Sequence, residues 1–369
     1  MVKKMNMLLF VIFGLLALGC DGGSDSSGRL QDEGPLLCPG EYVTGRGLVW
    51  RGSNPGELSE RDIPCLDGDG SLSGYFLVSV TTSRGEAAFS DENQFFYDLE
   101  DERLSQVEAY YAVSHMANWM MGFLLPEDEY GTTIEMIRSN EVKLNYDRAD
   151  IESKQLCYSL ELGMQGFSGN LINMDVAMHE FGHHLVFSLN RNIANSQIHE
   201  AMADFLAACF TADSVIEPSE WPGFDRDLQN SNRAPEDIIT KGEYCEILLG
   251  RMEADAIDLV YPQLAQTFSD CRDQDPQEPE QHWASMILSG AFWELRAAIG
   301  EADFLPALFL AIHRITAADT GNLMQLLIET DQELNGGANE DLVKDVFAAR
   351  GIDQNLGLNF PDIPYPYCP

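Results

Sequence analysis

One apolar run restricts the fold of this chain more than any other feature. It includes histidine and glutamate side chains, which a buried helix can accommodate only if they bind a metal ion or form hydrogen bonds. The run extends from Met174 to Leu189 and includes His179-Glu180-Phe181-Gly182-His183. Its length and apolar content predict a buried helix. Residues four apart share one helix face, with Cβ atoms about 5–6 Å apart, so His179 and His183 can reach a single metal ion. Glu180 lies beside that pair, where it can take a proton from water.

A second predicted helix, directly downstream, supplies further ligands. It begins near His199 and includes Glu200 and Asp204. A catalytic zinc ion takes three protein ligands and keeps one position open, so Glu200 is the natural third ligand beside His179 and His183. Asp204 can accept the second N–H of a zinc-bound histidine and so fix its tautomer. The simpler alternative is a first helix that merely happens to include two histidines.

These residues together resemble the motif of the gluzincin zinc metallopeptidases, the thermolysin and fungalysin group. That motif is H-E-x-x-H followed by E-x-x-x-D in a second helix. It is matched here by His179, Glu180, His183, Glu200 and Asp204. The segment 174–178 is also similar to the sequence that precedes the zinc helix in this family. The resemblance implies Zn²⁺ as cofactor, Glu180 as catalytic base, and a zincin-like α+β fold with endopeptidase activity.

Two more residues receive roles only through this resemblance. The segment 282–293 is similar to the family segment whose first histidine stabilises the oxyanion, so His282 is expected to be catalytic. The alternative for His282 is a surface histidine at the start of a helix. The segment 226–230 is similar to one whose arginine binds a substrate carbonyl, so Arg226 is expected to bind substrate. The alternative for Arg226 is a surface salt bridge.

The chain also departs from the family pattern. Sixteen residues separate His183 from Glu200, fewer than is usual, and none of them is a tyrosine. The auxiliary tyrosine of thermolysin therefore has no counterpart there. The substrate-holding edge strand of the family usually has an Asn-Ala pair, whereas the candidate stretch 144–147 has no alanine. His184 points about 100° away from His183 around the helix, so a supporting or purely structural role is expected.

The predicted elements divide the chain into a mixed α/β front and a mainly helical back. We expect a signal peptide at 1–19, a flexible tether at 20–37, an α/β lobe with the zinc-motif helix at 38–190, and a helical lobe at 191–369. Helices are predicted at 104–125, 174–189, 197–211, 241–260, 281–299, 303–317, 320–334 and 339–350. Strand-like stretches occur at 75–80, 142–146 and 156–160. The expected fold class is therefore α+β.

The first twenty residues resemble a bacterial lipoprotein signal. Lys3 and Lys4 precede an apolar run that ends at Leu18, and Cys20 follows. The run is too short for a comfortable membrane span. In lipoproteins such a cysteine becomes the lipidated first residue of the mature chain, so lipidation is expected at Cys20. An ordinary cleaved signal is the alternative. Both signals predict export, either to the cell envelope as a lipid-anchored protein or to the extracellular space.

The acidic composition excludes several classes of partner. The formal net charge is -38, from 22 basic and 60 acidic side chains. Nucleic-acid binding and polybasic membrane attachment both need Lys and Arg, so neither is expected, and the membrane is contacted only through the lipid anchor. The stretch 270–280 is expected to be a solvated acidic loop, with a Ca²⁺ site as the alternative. The segment 67–71 is expected to be a turn.

The cysteine count is consistent with an exported protein, in which disulfides are permitted. Besides Cys20, the cysteines are Cys38, Cys65, Cys157, Cys209, Cys245, Cys271 and Cys368. Cys209 lies in an apolar helical run and is expected to remain a thiol. The other six allow up to three disulfides, whose pairing the sequence leaves open.

The function expected is hydrolysis of peptide bonds in a protein or peptide substrate by a monomeric zinc endopeptidase. Zinc would activate water, Glu180 would accept the proton, and His282 would stabilise the oxyanion. One alternative is a catalytically silent surface lipoprotein that keeps the zincin fold as a binding module. Another is a zinc hydrolase of a non-peptide bond, which leaves Arg226 without its role.

Overall fold

The computed structural model describes residues 38–50, 58–77, 79–83, 85–124, 137, 141–145, 154–156, 159–163, 174–190, 193, 196–216, 226–229, 240, 242–243, 246, 281–316 and 320–352. Over these residues the protein is mixed α/β and mostly helical, with small sheets. The expected α+β class is confirmed to that extent. The division into two lobes remains a prediction, and the signal, the tether and Cys20 lie outside the described residues.

The strands form small sheets, and all but the last two strands lie in the front part of the chain. They are β1 (Val43–Trp50), β2 (Leu58–Leu66), β3 (Ser79–Thr82), β4 (Gln94–Phe95), β5 (Glu141–Asn145), β6 (Lys154–Leu156), β7 (Ser159–Gly163), β8 (Val215–Ile216) and β9 (Arg226–Asp227). One sheet has the order β2-β1-β4, with β1 antiparallel to β2 and parallel to β4. A second has the order β3-β5-β7-β6, and a third pairs β8 with β9.

The helices occupy the interior and the back of the described structure. They are α1 (Arg103–Met121), α2 (Met174–Leu189), α3 (Ser196–Thr211), α4 (Gln281–Ile299), α5 (Glu301–Arg314), α6 (Thr320–Asn335) and α7 (Glu340–Ala349). Helix α2 packs against α1, α3, α5, β6 and β7. Its described side chains are buried or nearly so all round, as expected for a helix without a solvent face.

Most helix boundaries agree with the sequence pattern to within three residues. Helix α1 is an exception, since it ends at Met121 instead of 125. The N–H groups of Gly122 and Phe123 donate to the carbonyls of Trp119 and Met120, three residues back, so the last turn tightens and stops. The helix predicted at 241–260 and the acidic loop at 270–280 lie almost wholly outside the described residues.

Two strand predictions need correction. The stretch 156–160 was predicted as one strand, but Leu156 of β6 pairs with Ser159 of β7, so the chain reverses between them. In the stretch 75–80 only the end joins a strand, because the N–H of Gly74 donates to the carbonyl of Leu77 and closes a turn there. The candidate substrate-holding stretch begins in β5, which lies between β3 and β7 and is therefore not an edge strand.

The described cysteines agree with the expected pattern. Cys38 and Cys65 form a disulfide that ties the chain before β1 to strand β2. Cys209 remains a thiol, buried within α3, and Arg296 donates a hydrogen bond from Nη1 to its Sγ over 3.7 Å. The four remaining cysteines of the predicted disulfide set lie outside the described residues.

The acidic segment 67–71 forms a turn, as predicted. Ser71 donates to Asp69 from both its N–H and its hydroxyl, and Ser73 donates to Asp67. Gly68 and Gly70 have φ of 81° and 93°, which suits glycine alone without strain.

The buried apolar side chains form one connected cluster from Val49 in β1 to Ile352 after α7. The cluster includes residues of both predicted lobes, so the two share a core. None of the helices in the described part of the chain combines the length and the hydropathy needed to cross a membrane.

Candidate metal centre

A close approach of α2 and α3 creates the polar cluster predicted from the sequence. Gly182 of α2 faces Ala203 of α3, and a Cβ atom placed on Gly182 would lie only 2.6 Å from the Cα of Ala203. No real side chain tolerates that distance, so the helices can be this close only because residue 182 is glycine. The close contact puts the histidines of α2 within reach of the carboxylates of α3.

Three donor atoms converge between these helices. The Nε2 atoms of His179 and His183 lie 3.1 Å apart. Glu200 Oε2 lies 3.2 Å from Nε2 of His179 and 3.5 Å from Nε2 of His183. The three side chains are buried, with 5% to 8% of their surface exposed. Together His179, His183 and Glu200 form a group that could hold a metal ion.

The spacing of these atoms suits a small tetrahedral ion. Nitrogen and oxygen ligands at about 2.0–2.1 Å from a tetrahedral zinc ion lie about 3.3–3.4 Å from one another. The three observed separations, from 3.1 to 3.5 Å, bracket that value. Two imidazoles and one carboxylate also match the ligand types of a catalytic zinc site, although the same donors bind other divalent transition metals.

Asp204 orients one of the imidazoles. His179 donates its Nδ1–H to Oδ1 of Asp204 over 2.7 Å, which directs the Nε2 atom at the cluster. Burial lowers the pKa of His179, but the hydrogen bond and the charge of Asp204, the hydrogen bond to Glu200 and the charge of Glu180 raise it to about 10. A metal ion that binds there must therefore displace a proton.

The carboxylate of Glu200 stays ionised in spite of its burial. Burial alone would raise its pKa, but the positive charges of His282 and His183 and the hydrogen bonds from His179 and His183 hold the pKa well below its ordinary value. An ionised carboxylate between imidazoles is the form that binds a cation.

Glu180 lies beside the donor group and is not part of it. Its Oε2 is 3.9 Å from Nε2 of His183, and 14% of its side chain is exposed, more than for any of the three donors. It is therefore close enough to the cluster to exchange a proton with a water molecule there, and it faces the more accessible side.

His282 borders the same cluster from a third helix. It is the second residue of α4, its side chain is 44% exposed, and its Nε2 lies 3.5 Å from Oε2 of Glu200. Gln197 of α3 donates from Nε2 to the carbonyl of Ala284 over 3.1 Å and so fastens the starts of α3 and α4 together. The structure therefore places His282 beside the cluster, and its expected role in stabilising the oxyanion stays a prediction.

The remaining candidate residues give less information. Arg226 lies in β9, which contacts α4, but its side chain is outside the described residues. His184 is buried, with its ring centroid 5.6 Å from that of Phe181. It lies in the core on α2 itself, beside Phe181 of the same helix, in agreement with the structural role considered for it.

Sequence reasoning missed two residues that shape the cluster. Gly182 occupies a variable position of the H-E-x-x-H pattern, and only the helix contact shows why it is small. His199 directly precedes Glu200, yet no role was assigned to it. The ring centroid of His199 is 5.9 Å from that of His183. Burial and the positive charge of His183 lower the pKa of His199 to about 3, so it is neutral.

A scan of the sequence against protein-family models finds no match, and a search of curated proteins finds no similar sequence.

Proposed function

We propose that this protein is a zinc-dependent endopeptidase of the gluzincin type, with a zincin-like arrangement of α2 and α3. One observation carries the proposal: His179, His183 and Glu200 present three buried donor atoms at tetrahedral spacing, with Glu180 at 3.9 Å from the nearest imidazole. The motif resemblance to thermolysin and fungalysin supports the same conclusion. Zinc held by these three residues would polarise the substrate carbonyl and lower the pKa of a water molecule.

The residues around the cluster have distinct parts in this proposal. Glu180 accepts a proton from the attacking water and later delivers it to the leaving amine. His282, half-exposed at the edge of the cluster, donates a hydrogen bond to the oxyanion that develops on the scissile carbonyl. Asp204 holds His179 in the tautomer that leaves Nε2 available. Arg226 is assigned to substrate binding by resemblance to the family alone.

The cellular location proposed for the enzyme is based on its sequence. A lipid on Cys20 and the polar tether at 20–37 would hold a monomeric catalytic body at the cell envelope, and an ordinary cleaved signal would release it outside. The substrate is then an exported or environmental protein or peptide. The net charge of -38 argues against nucleic acid as a partner.

The variant Glu180→Gln tests the proposal. It removes the proton acceptor but none of the three donors, so the purified protein is expected to keep its zinc while casein degradation falls by about 10²–10⁴-fold. Elemental analysis measures the zinc, and Glu100→Gln, a change of the same kind at an exposed position, is the control. Cleavage near the wild-type rate would end the assignment.

A metal-binding protein without catalysis is the competing proposal. It predicts zinc in the purified protein but no casein degradation that a zinc chelator inhibits. The presence of Glu180 beside the cluster favours the enzyme, because a binding module has no use for a carboxylate that is close to the donors without joining them.

A further inference from the structure

The end of α2 is fastened by hydrogen bonds to the end of α5. Asn190 donates from Nδ2 to the carbonyls of Ile312 and Ile315 over 3.0 Å and 2.8 Å, at the end of α5. His313 donates in return from Nδ1 to the carbonyl of Leu189 over 2.7 Å. The end of α2 therefore has a fixed position relative to α5.

His199 fastens the other end of this connection. It is 1% exposed, and its Nε2–H donates to the carbonyl of Ile193 over 3.1 Å. The partner is a carbonyl, which can only accept, so the proton must be on Nε2. The N–H of Ile193 in turn donates to the carbonyl of Asn190. A chain of contacts thus runs from α5 through the connection to the first turn of α3.

The ring of His199 also contacts the cluster itself. Its centroid lies 5.9 Å from that of His183, with the two planes inclined at 39°, and the next residue along the chain is Glu200. The side chain of His199 therefore adjoins two of the three donors. It packs against the ring of His183, and its hydrogen bond fixes the backbone next to Glu200.

We propose that His199 is a positioning residue for the metal centre, which sets the distance between Glu200 and His183 through its hydrogen bond to Ile193 and its packing against the His183 ring. The proposal rests on the metal centre of the proposed function. It does not give His199 any contact with substrate. Without this hydrogen bond the first turn of α3 keeps its bond from Gln197 to Ala284 but loses its attachment to Ile193, and the distance of the carboxylate from the imidazoles is less closely fixed.

The test uses the full chain, freed of metal, with Co²⁺ as the probe. Cobalt in a tetrahedral site of nitrogen and oxygen donors gives visible absorption bands that report the ligand geometry. His199→Leu removes the N–H but keeps the bulk, and we expect Co²⁺ affinity to fall by about 10–100-fold, with altered bands. His199→Gln keeps an amide N–H at nearly the reach of Nε2 and should restore both. His199→Asn has the same amide one methylene shorter and should not.

The control is Thr330→Val, which removes another buried hydrogen bond to a main-chain carbonyl, from Oγ1 to Ala307 over 2.9 Å, on α6. It should lower stability without changing the cobalt bands. If wild type binds no Co²⁺, the proposed function and this inference fail together. If wild type binds it and His199→Leu keeps the same affinity and bands, only the inference fails. If His199→Leu does not fold, equal behaviour of the glutamine and asparagine variants overturns it.

Discussion

Acidic side chains occur in two contrasting surroundings in this protein. Glu200 and Asp204 are buried between α2 and α3, at 6% and 0% exposure, each within 3.2 Å of an imidazole nitrogen. On the surface, an open cleft is lined by five acidic residues around one arginine: Glu86, Asp98, Glu100, Asp101, Glu102 and Arg103. The side chain of Glu86 is 88% exposed.

The two groups differ in what compensates their charge. Water solvates the surface carboxylates, so they can stay close together at little cost. The buried carboxylates have lost that solvation, and each charge would be very costly without a cationic or hydrogen-bonding partner. A dense acidic surface therefore says little about function, whereas the buried carboxylate of Glu200 beside two imidazoles belongs to a group that could hold a metal ion.

The largest expected effect comes from removing a buried donor. Glu200→Ala leaves two imidazoles and should reduce zinc affinity by more than the roughly 10–100-fold expected from loss of an outer hydrogen-bond partner. In wild type, zinc at about 1,000 times its Kd should stabilise the fold by about 4 kcal/mol. That gain should fall to about 1.4 kcal/mol or less in the variant at the same zinc concentration, and it should vanish when a chelator is added to wild type.

Exposed Glu100 provides the matched control for Glu200. Glu100→Ala removes a carboxylate from the surface cleft, and the stabilisation by zinc should be unchanged. Thermal unfolding with and without zinc measures both variants. Equal loss in the two variants would mean that buried and exposed carboxylates act alike, which would contradict the contrast drawn above.

A smaller effect is expected from the helix contact that brings the buried groups together. Gly182→Ala places a methyl group against the backbone of Ala203, so α2 and α3 must move apart. Overpacking of this kind costs about 1–3 kcal/mol. The shift should also lengthen the distances from Glu200 to the two histidines and weaken zinc binding.

Gly40 is the control for Gly182, because a Cβ atom there would meet nothing within 4 Å. Gly40→Ala should leave both the free energy of unfolding and zinc affinity nearly unchanged. Denaturant unfolding of the metal-free proteins measures the packing cost alone. Zinc titration then measures its effect on the site. A Gly182→Ala protein as stable as wild type would show that the close approach is not required.

The parts of the site that lie on regular helices could be predicted from the sequence. Helical spacing predicted that His179 and His183 share one face of their helix and that Glu200 and Asp204 share one face of the next. The structure brings these two faces together. The bounds of α2 followed from the apolar run that forms it. Their roles in catalysis remain predictions.

Other features depended on contacts between elements and could not be predicted. The need for glycine at 182 arises from the position of α3, and the hydrogen bond from His199 depends on where Ile193 lies, between the two helices. The reversal between Leu156 and Ser159 was missed because a short apolar stretch does not distinguish one strand from two. In each case the feature depends on a contact between two segments. The hydrophobic periodicity of the sequence does not specify how those segments lie relative to each other.

The smallest effect is expected at the rim of the acidic cleft. Arg103 donates to Asp101 from Nε and Nη2 over 2.9 Å and 2.6 Å. This hydrogen bonding holds the pKa of Asp101 below its ordinary value of 3.8 in the folded protein. The pair therefore stabilises the fold fully above the unfolded-state pKa, and the contribution is lost as the pH falls through the lower, folded-state pKa.

Asp101→Asn should consequently destabilise the protein at pH 7 by no more than about 1 kcal/mol, since the pair is partly exposed. The difference in the free energy of unfolding between wild type and variant should shrink as the pH falls below 3.8, where aspartate in the unfolded chain becomes protonated. Asp91→Asn, at an exposed position, is the control. Urea unfolding at pH 7 and near pH 3 measures the difference. A loss of several kcal/mol in the free energy of unfolding would mean that a solvated carboxylate of the cleft stabilises the fold as strongly as a buried one. The distinction between solvated and buried carboxylates would then be wrong.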